Sequence, residues 1–365
     1  MAQSKQSKPT ALGRISARPR ALVKPRGCRK FHTSPEERLR RFEMKAAGHE
    51  FIPALMHTLG RALSGKNETA TEERLQAAIK QLGNDASFLA TALKEYEKLD
   101  LDLKTRAFST RYLMLRQDRP IDDAEFSGIL VRANQLQGFT RGVLASHGGD
   151  CCCCCGKPTD PQPPVERDNY GLTYSHLYCV DESNPEWAGS DEPYVVFATI
   201  TEAMALAGTP AFSARSPIYE DVDDGDRRPS SGEENRILYG PVAPRPIDSP
   251  FVTAATCFEH DNGDADEMMK GLRSSLTTVA TTAAGIGGPA GWIVAGVAGI
   301  GVAITFLVDL WADDDQIGDV LAVAFTEAQA NAATSTVNPA VLPPLHFDGG
   351  SDDGIYDAYL KLERG

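Results

Sequence analysis

Between Arg273 and Asp309 the chain carries no charged side chain: SSLTTVATTAAGIGGPAGWIVAGVAGIGVAITFLV runs for 35 residues in a 365-residue protein of net charge −13. A membrane-spanning helix needs about 20 predominantly apolar residues. A stretch this long has to be hidden from water, in lipid, in a subunit interface or in the protein's own interior. Aspartate-rich segments, DNGDADE and DDD, stand close on either side of it.

Small residues recur at every fourth position, at Gly287, Gly291, Ala295, Gly299 and Ala303. On a helix they form one smooth ridge of the kind that lets helices approach closely in lipid. Trp292 and Trp311 lie near the ends of the second half, where indole rings favour a membrane interface. Gly287-Gly288-Pro289 divides the stretch into about 15 and 19 residues, roughly 22 and 28 Å of helix. A helical hairpin is expected, because it returns the chain to the side from which it left. The competing expectation is a hairpin buried in protein, favoured by the Thr-rich first half from Thr277 to Thr282.

The remainder divides by texture. Residues 1–33 are basic, with nine Lys/Arg and no acid before residue 36, and read as a disordered tail. They lack the apolar run of a secretory signal peptide, and their Arg- and Ser-rich composition also fits a mitochondrial presequence ending near Phe31-His32-Thr33-Ser34. Residues 34–147 carry helical periodicity, with Leu75, Ala78, Ile79 and Leu82 as one example, and are expected to form a helical bundle. Gly83-Asn84 ends one helix, and Pro53 is expected to bend or restart another. Residues 148–168 form a Cys/Pro-rich linker around Cys151 to Cys155; five consecutive cysteines cannot all face one ion and make no disulfide framework.

From residue 169 to 365 the pattern is β. Leu172 to Cys179 alternates, Tyr194-Val195-Val196-Phe197 is a strong strand, and Phe251 to Phe258, Val320 to Phe325 and Ile355 to Leu362 follow. The fold class expected is therefore α+β and multidomain. An N-terminal helical bundle precedes an antiparallel β-sandwich, into which the apolar helical hairpin is inserted at about residues 271–312.

Three acidic patches punctuate the β region in order: Ser190-Asp191-Glu192-Pro193-Tyr194-Val195, Glu259-His260-Asp261, and Asp313-Asp314-Asp315-Gln316-Ile317-Gly318. In islands, they resemble the C-two domain, a β-sandwich that docks on membranes through calcium. The resemblance implies calcium as cofactor, with Asp191, Asp261, Asp264, Asp313 and Asp315 as ligands. Clustered carboxylates at loop tips suit an ion that takes six to eight oxygens; Asp and Gly equally favour plain solvated turns. Glu259 stands where that family has an aspartate, and Glu192 interrupts its S-D-P-Y run.

The acidic balance argues against nucleic acid as a partner. No nucleophile elbow, phosphate loop or zinc-protease motif occurs, so no enzyme activity is expected. Two functional expectations stand. One is a membrane-associated protein that docks on a lipid bilayer and inserts its hairpin, homo-oligomerising along the small-residue ridge in a pore-forming or toxin-like way. The other is a soluble scaffold or cargo protein that uses the hairpin as a subunit interface. In both, the helical bundle binds a protein partner that the sequence does not identify.

Overall fold

The computed structural model describes residues 48–136, 169–182, 191–238, 245–246, 251–260, 263–284, 303–312, 314–349 and 354–365. The protein is α+β, with helices first and antiparallel sheets after them.

The helices begin with α1 (Gly48–Leu63), whose residues 51–62 are all buried. A helix covered on every side must satisfy its polar side chains internally. Arg61 on α1, fully buried, donates from Nε to Glu72 Oε1 at 2.5 Å and from Nη1 to the Gln117 carbonyl at 2.6 Å. His57 bonds the Arg119 carbonyl at 2.8 Å. Pro53 stays inside α1 and does not break it.

The second helix, α2 (Ala70–Leu82), starts where the sequence suggests: the Thr69 hydroxyl accepts from the Glu72 amide at 3.2 Å. It stops at Gly83, whose φ of +59° suits a residue without Cβ. Next come α3 (Ser87–Lys98), the short α4 (Leu101–Ala107) and α5 (Thr110–Leu113), and α6 (Asp123–Leu136).

Two sheets follow. The larger is built around β1 (Asn169–Asp181) and β11 (Ile355–Arg364), antiparallel over nearly their full lengths. The short strands β4 (Arg227–Arg228), β5 (Arg236–Ile237) and β6 (Arg245–Pro246) pair with β1, and β9 (Ala340–Val341) and β10 (Leu345–Asp348) pair with β11. The smaller sheet runs in the order β3-β2-β7-β8, with β3 (Phe212–Arg215), β2 (Pro193–Thr201), β7 (Phe251–Glu259) and β8 (Asp315–Phe325).

Alternation splits the side chains of β2 and β7 between two cores. Val195, Phe197, Ala255 and Cys257 join Tyr170, Tyr174, Tyr356 and Leu360 of the larger sheet. Tyr194, Val196, Ala198, Val252 and Phe258 point the other way and join the helices. That is why these two strands read as continuous apolar runs in the sequence: each is covered on both faces.

What covers the helical face is largely the uncharged stretch. A short α7 (Glu202–Leu206) leads towards β3. Helix α8 (Ala265–Ala283) packs on β2 and β3 and touches α2 and α3, and every side chain from Ser274 to Ala284 is buried. The chain returns through α9 (residues 303–311) into β8 and then α10 (Glu327–Thr334).

Three hydroxyls of α8 find a carbonyl one turn back, while those of Thr278 and Thr281 are buried without a hydrogen-bond partner among the described residues. Thr277 donates to Arg273 at 2.6 Å, Thr282 to Thr278 at 2.7 Å, and Ser274 to Lys270 at 2.9 Å. At the end of the helix Arg74 Nη2 donates to the Ala284 carbonyl at 3.0 Å, which ties α2 to α8.

Among the described residues no helix is long and apolar enough to cross a membrane. This corrects the expectation of a transmembrane helix. Ala303 and Trp311, two of the residues expected to meet lipid, are buried in the core that the helices share with β2 and β7. The Trp311 indole donates to Ser275 Oγ at 3.2 Å and meets the Phe88 ring edge-on at 5.2 Å. Gly271 makes room for it, since a Cβ there would lie 2.3 Å from the indole. Gly287, Gly291, Trp292, Ala295 and Gly299 lie outside the described residues, as do the basic tail and the cysteine linker.

Candidate functional site

The three acidic islands converge on one end of the smaller sheet. Pro193 opens β2 opposite Glu259 at the end of β7, and Glu259 stands opposite Asp315 at the start of β8. The His260 amide donates to the Glu192 carbonyl at 3.1 Å. Along this rim Asp191, Asp264 and Asp314 each accept from a different donor.

Asp191 is buried, at 3% exposure, and its carboxylate accepts from the Tyr356 hydroxyl on β11. Its main chain forms an isolated bridge with Val222. On the opposite face of the sheet, Asp314 accepts from the Tyr194 hydroxyl at 2.6 Å and from the Gly263 amide at 2.7 Å. A Cβ on Gly263 would fall 2.2 Å from that carboxylate, so the contact depends on glycine. His260 Nδ1 lies 3.6 Å from the same carboxylate, and the His260 ring meets Tyr194 edge-on.

Both phenols are pushed above their ordinary range, first by burial and then by the carboxylate each one faces. They remain protonated donors to those carboxylates.

The other expected ligands have local duties. Asp264 caps α8 by accepting from the Asp266 amide at 2.9 Å. Asp315 is the half-buried first residue of β8. Asp261 and Asp313 lie outside the described residues. Among the described residues, no three of His, Cys, Asp and Glu stand together as ion ligands. Of the ligands expected for calcium, Asp191 presents its carboxylate to a hydroxyl and Asp264 to a main-chain amide, and the buried Asp314 lies on the opposite face of the sheet. Asp314, which is buried, is not among the ligands expected from the sequence. Nothing in the triplet marks its middle member; only the pairing of β7 with β8 does.

The thiols of the sheets are equally withdrawn. Burial pushes Cys179 up to about 12 and Cys257 well above its ordinary value, so neither offers a thiolate nucleophile.

One feature of the described surface is open. Beside β3 lies a groove of about 670 Å³, bounded by β3 itself, by residues 234–237 and by Asp266 and Met269 of α8. Its walls come from different sheets, since β3 belongs to the smaller and β5 to the larger. At one end Arg215 Nε donates to Asp266 Oδ1 at 2.6 Å. Arg236 and Glu234, two residues apart along the other wall, make no ion pair among the described residues. Asn235 between them holds φ at +49°, an unusual conformation for a residue with a Cβ.

No protein-family model matches the chain, and neither does any curated protein or solved structure.

Proposed function

We propose that the chain is a non-enzymatic scaffold that acts by binding another protein. In this reading the two sheets form a sandwich, the helices form a bundle backing one side of it, and the uncharged stretch is the spine between them. The observation that carries it is the burial of every side chain from Ser274 to Ala284 against the chain's own sheet and helices. Those eleven side chains have no face left for lipid.

Two further features support the reading. The buried titratable side chains of the sheets are engaged by one another, as with Asp191 and Tyr356 or Tyr174 and Tyr219 at 3.1 Å, and do not converge on a cavity. The groove beside β3 instead exposes main chain and charge, the materials of peptide recognition.

Vesicle flotation of the full chain tests the proposal, using liposomes of mixed zwitterionic and anionic lipid, once with calcium and once with chelator. The chain is expected to remain in the protein fraction in both. Co-flotation with vesicles in either condition overturns the scaffold reading in favour of bilayer docking.

A further inference from the structure

We infer that the groove beside β3 is a strand-addition site for an extended peptide carrying one acidic and one basic residue. This rests on the scaffold reading and names its binding surface.

The argument starts from the ladder. In an antiparallel pair, residues alternate between those that bond across to the partner and those whose N–H and C=O point away from it. The Ser216 amide donates to the Val195 carbonyl at 2.8 Å, which fixes the phase. With Arg215 opposite Val196, Ala214 opposite Phe197 and Ser213 opposite Ala198, the main-chain groups of Ser213 and Arg215 point outward from the sheet. So do those of Ala211, one further alternate residue back.

At Ala211 the outward groups are taken. Its amide donates to Thr277 Oγ1 at 2.9 Å, and its carbonyl accepts from Arg273 Nε at 2.8 Å. Helix α8 thus caps the main chain of the edge there, and further along it meets β3 through the Arg215–Asp266 side-chain pair. At Ser213 and Arg215 the edge opens into the groove, and their outward amides and carbonyls meet no partner among the described residues. Proteins usually blunt such an edge with a covering element, a proline or a bulge. Here α8 covers one rung and leaves the next two.

Two successive outward residues offer four main-chain groups, the register that an added strand uses. The opposite wall sets the side chains. Glu234 and Arg236 both line that wall, with neither in an ion pair among the described residues, and the positive φ of Asn235 bends the chain between them. An extended peptide complements them with one carboxylate and one ammonium or guanidinium. A volume of about 670 Å³ accommodates a short peptide segment.

The test uses a fluorescein-labelled heptapeptide of sequence TVEVKVT, followed by anisotropy against the full chain. Saturable binding with a dissociation constant on the order of 100 µM is expected; none up to about 1 mM overturns the inference. Peptides N-methylated at alternate residues then ask which edge is used. Loss of at least about tenfold with one methylation pattern and retention with the other is expected for strand addition. Equal loss with both patterns, or loss with neither, overturns it. These arms need no protein variant that could fail to fold.

Finally, the double variant E234K/R236E is expected to prefer the charge-exchanged peptide TVKVEVT by about tenfold, reversing the preference of the native chain. Indifference to the exchange overturns the inference. A chain that stays off vesicles yet ignores every peptide keeps the scaffold reading and loses this site.

Discussion

The helices and the sheets each bury a carboxylate, and they satisfy it in opposite ways. In the helical region Glu72 meets a full cation, Arg61, at 2.5 Å, with both side chains at 1% exposure or less. In the sheets Asp191 and Asp314 meet neutral phenols, Tyr356 and Tyr194. A buried ion pair stabilises little over an apolar substitute, yet removing one partner strands a charge. A phenol–carboxylate bond holds one charge instead of two, and its loss costs one hydrogen bond and the desolvation of its acceptor. The helices are therefore more sensitive to a single truncation than the sheets are.

Replacing Glu72 with alanine should give the largest effect. A loss of about 3–5 kcal/mol is expected in a urea or guanidinium titration; a loss below about 1 kcal/mol would break the contrast. The Leu276→Ala variant probes the element that both regions share, since Leu276 is fully buried on α8. A cost of about 2–5 kcal/mol is expected, with a lowered midpoint and an unchanged slope. If α8 were only loosely docked, the cost would fall near zero.

Tyr356→Phe leaves the Asp191 carboxylate without its phenol and should cost about 1–3 kcal/mol, less than the Glu72 variant by the same measurement. If the two prove equal, the phenols are as indispensable as the cation.

Alkaline pH sharpens the same point. Burial raises the pKa of Tyr96, Tyr174, Tyr194, Tyr219 and Tyr356 above the ordinary value of about 10. The unfolded chain therefore releases those protons first, and stability is full below about pH 10 and falls as pH rises beyond it. Tyrosinate absorbance of these residues should appear in step with the loss of circular dichroism. Absorbance that rises while the fold persists would show the phenols to be accessible. On the acid side, burial chiefly lowers the pKa of His57 in the helices, so its contribution should fade as pH drops through about 6.5. The smallest effect expected is that of Thr69→Ala, about 1 kcal/mol from the lost cap of α2, read as a shift in melting temperature.

Much of this architecture was written in the sequence. Thr69 and Gly83 mark the ends of α2, and the alternation of Ile355 to Leu362 marks β11. The apolar stretch was legible as something needing cover, but not as to what covers it. Periodicity reports that a face is apolar, whereas lipid and a sheet of Val196, Ala198 and Val252 satisfy it equally well. The clue was chemical: Thr277 and Thr282 bond back along α8, which suits a protein interior.

The acidic rim was legible as charge, but not as to its partners. Asp191 and Asp314 look like surface turn residues until Tyr356 and Tyr194, 165 and 120 positions away in the chain, are brought against them. The groove beside β3 had no signal at all, because it depends on which alternate residues of an edge strand α8 happens to cap.

Because β7 and β8 are neighbours in the sheet, the pairing of Glu259 with Asp315 closes a loop of about 55 residues. A tight hairpin would close in one quick local step; this one waits for a long detour to come home. Relative to a five-residue turn the delay is worth roughly 2 kcal/mol of closure entropy. Strand β8 is thus placed to be a late arrival in folding, and the Asp314–Gly263 hydrogen bond is the clasp that shuts behind it.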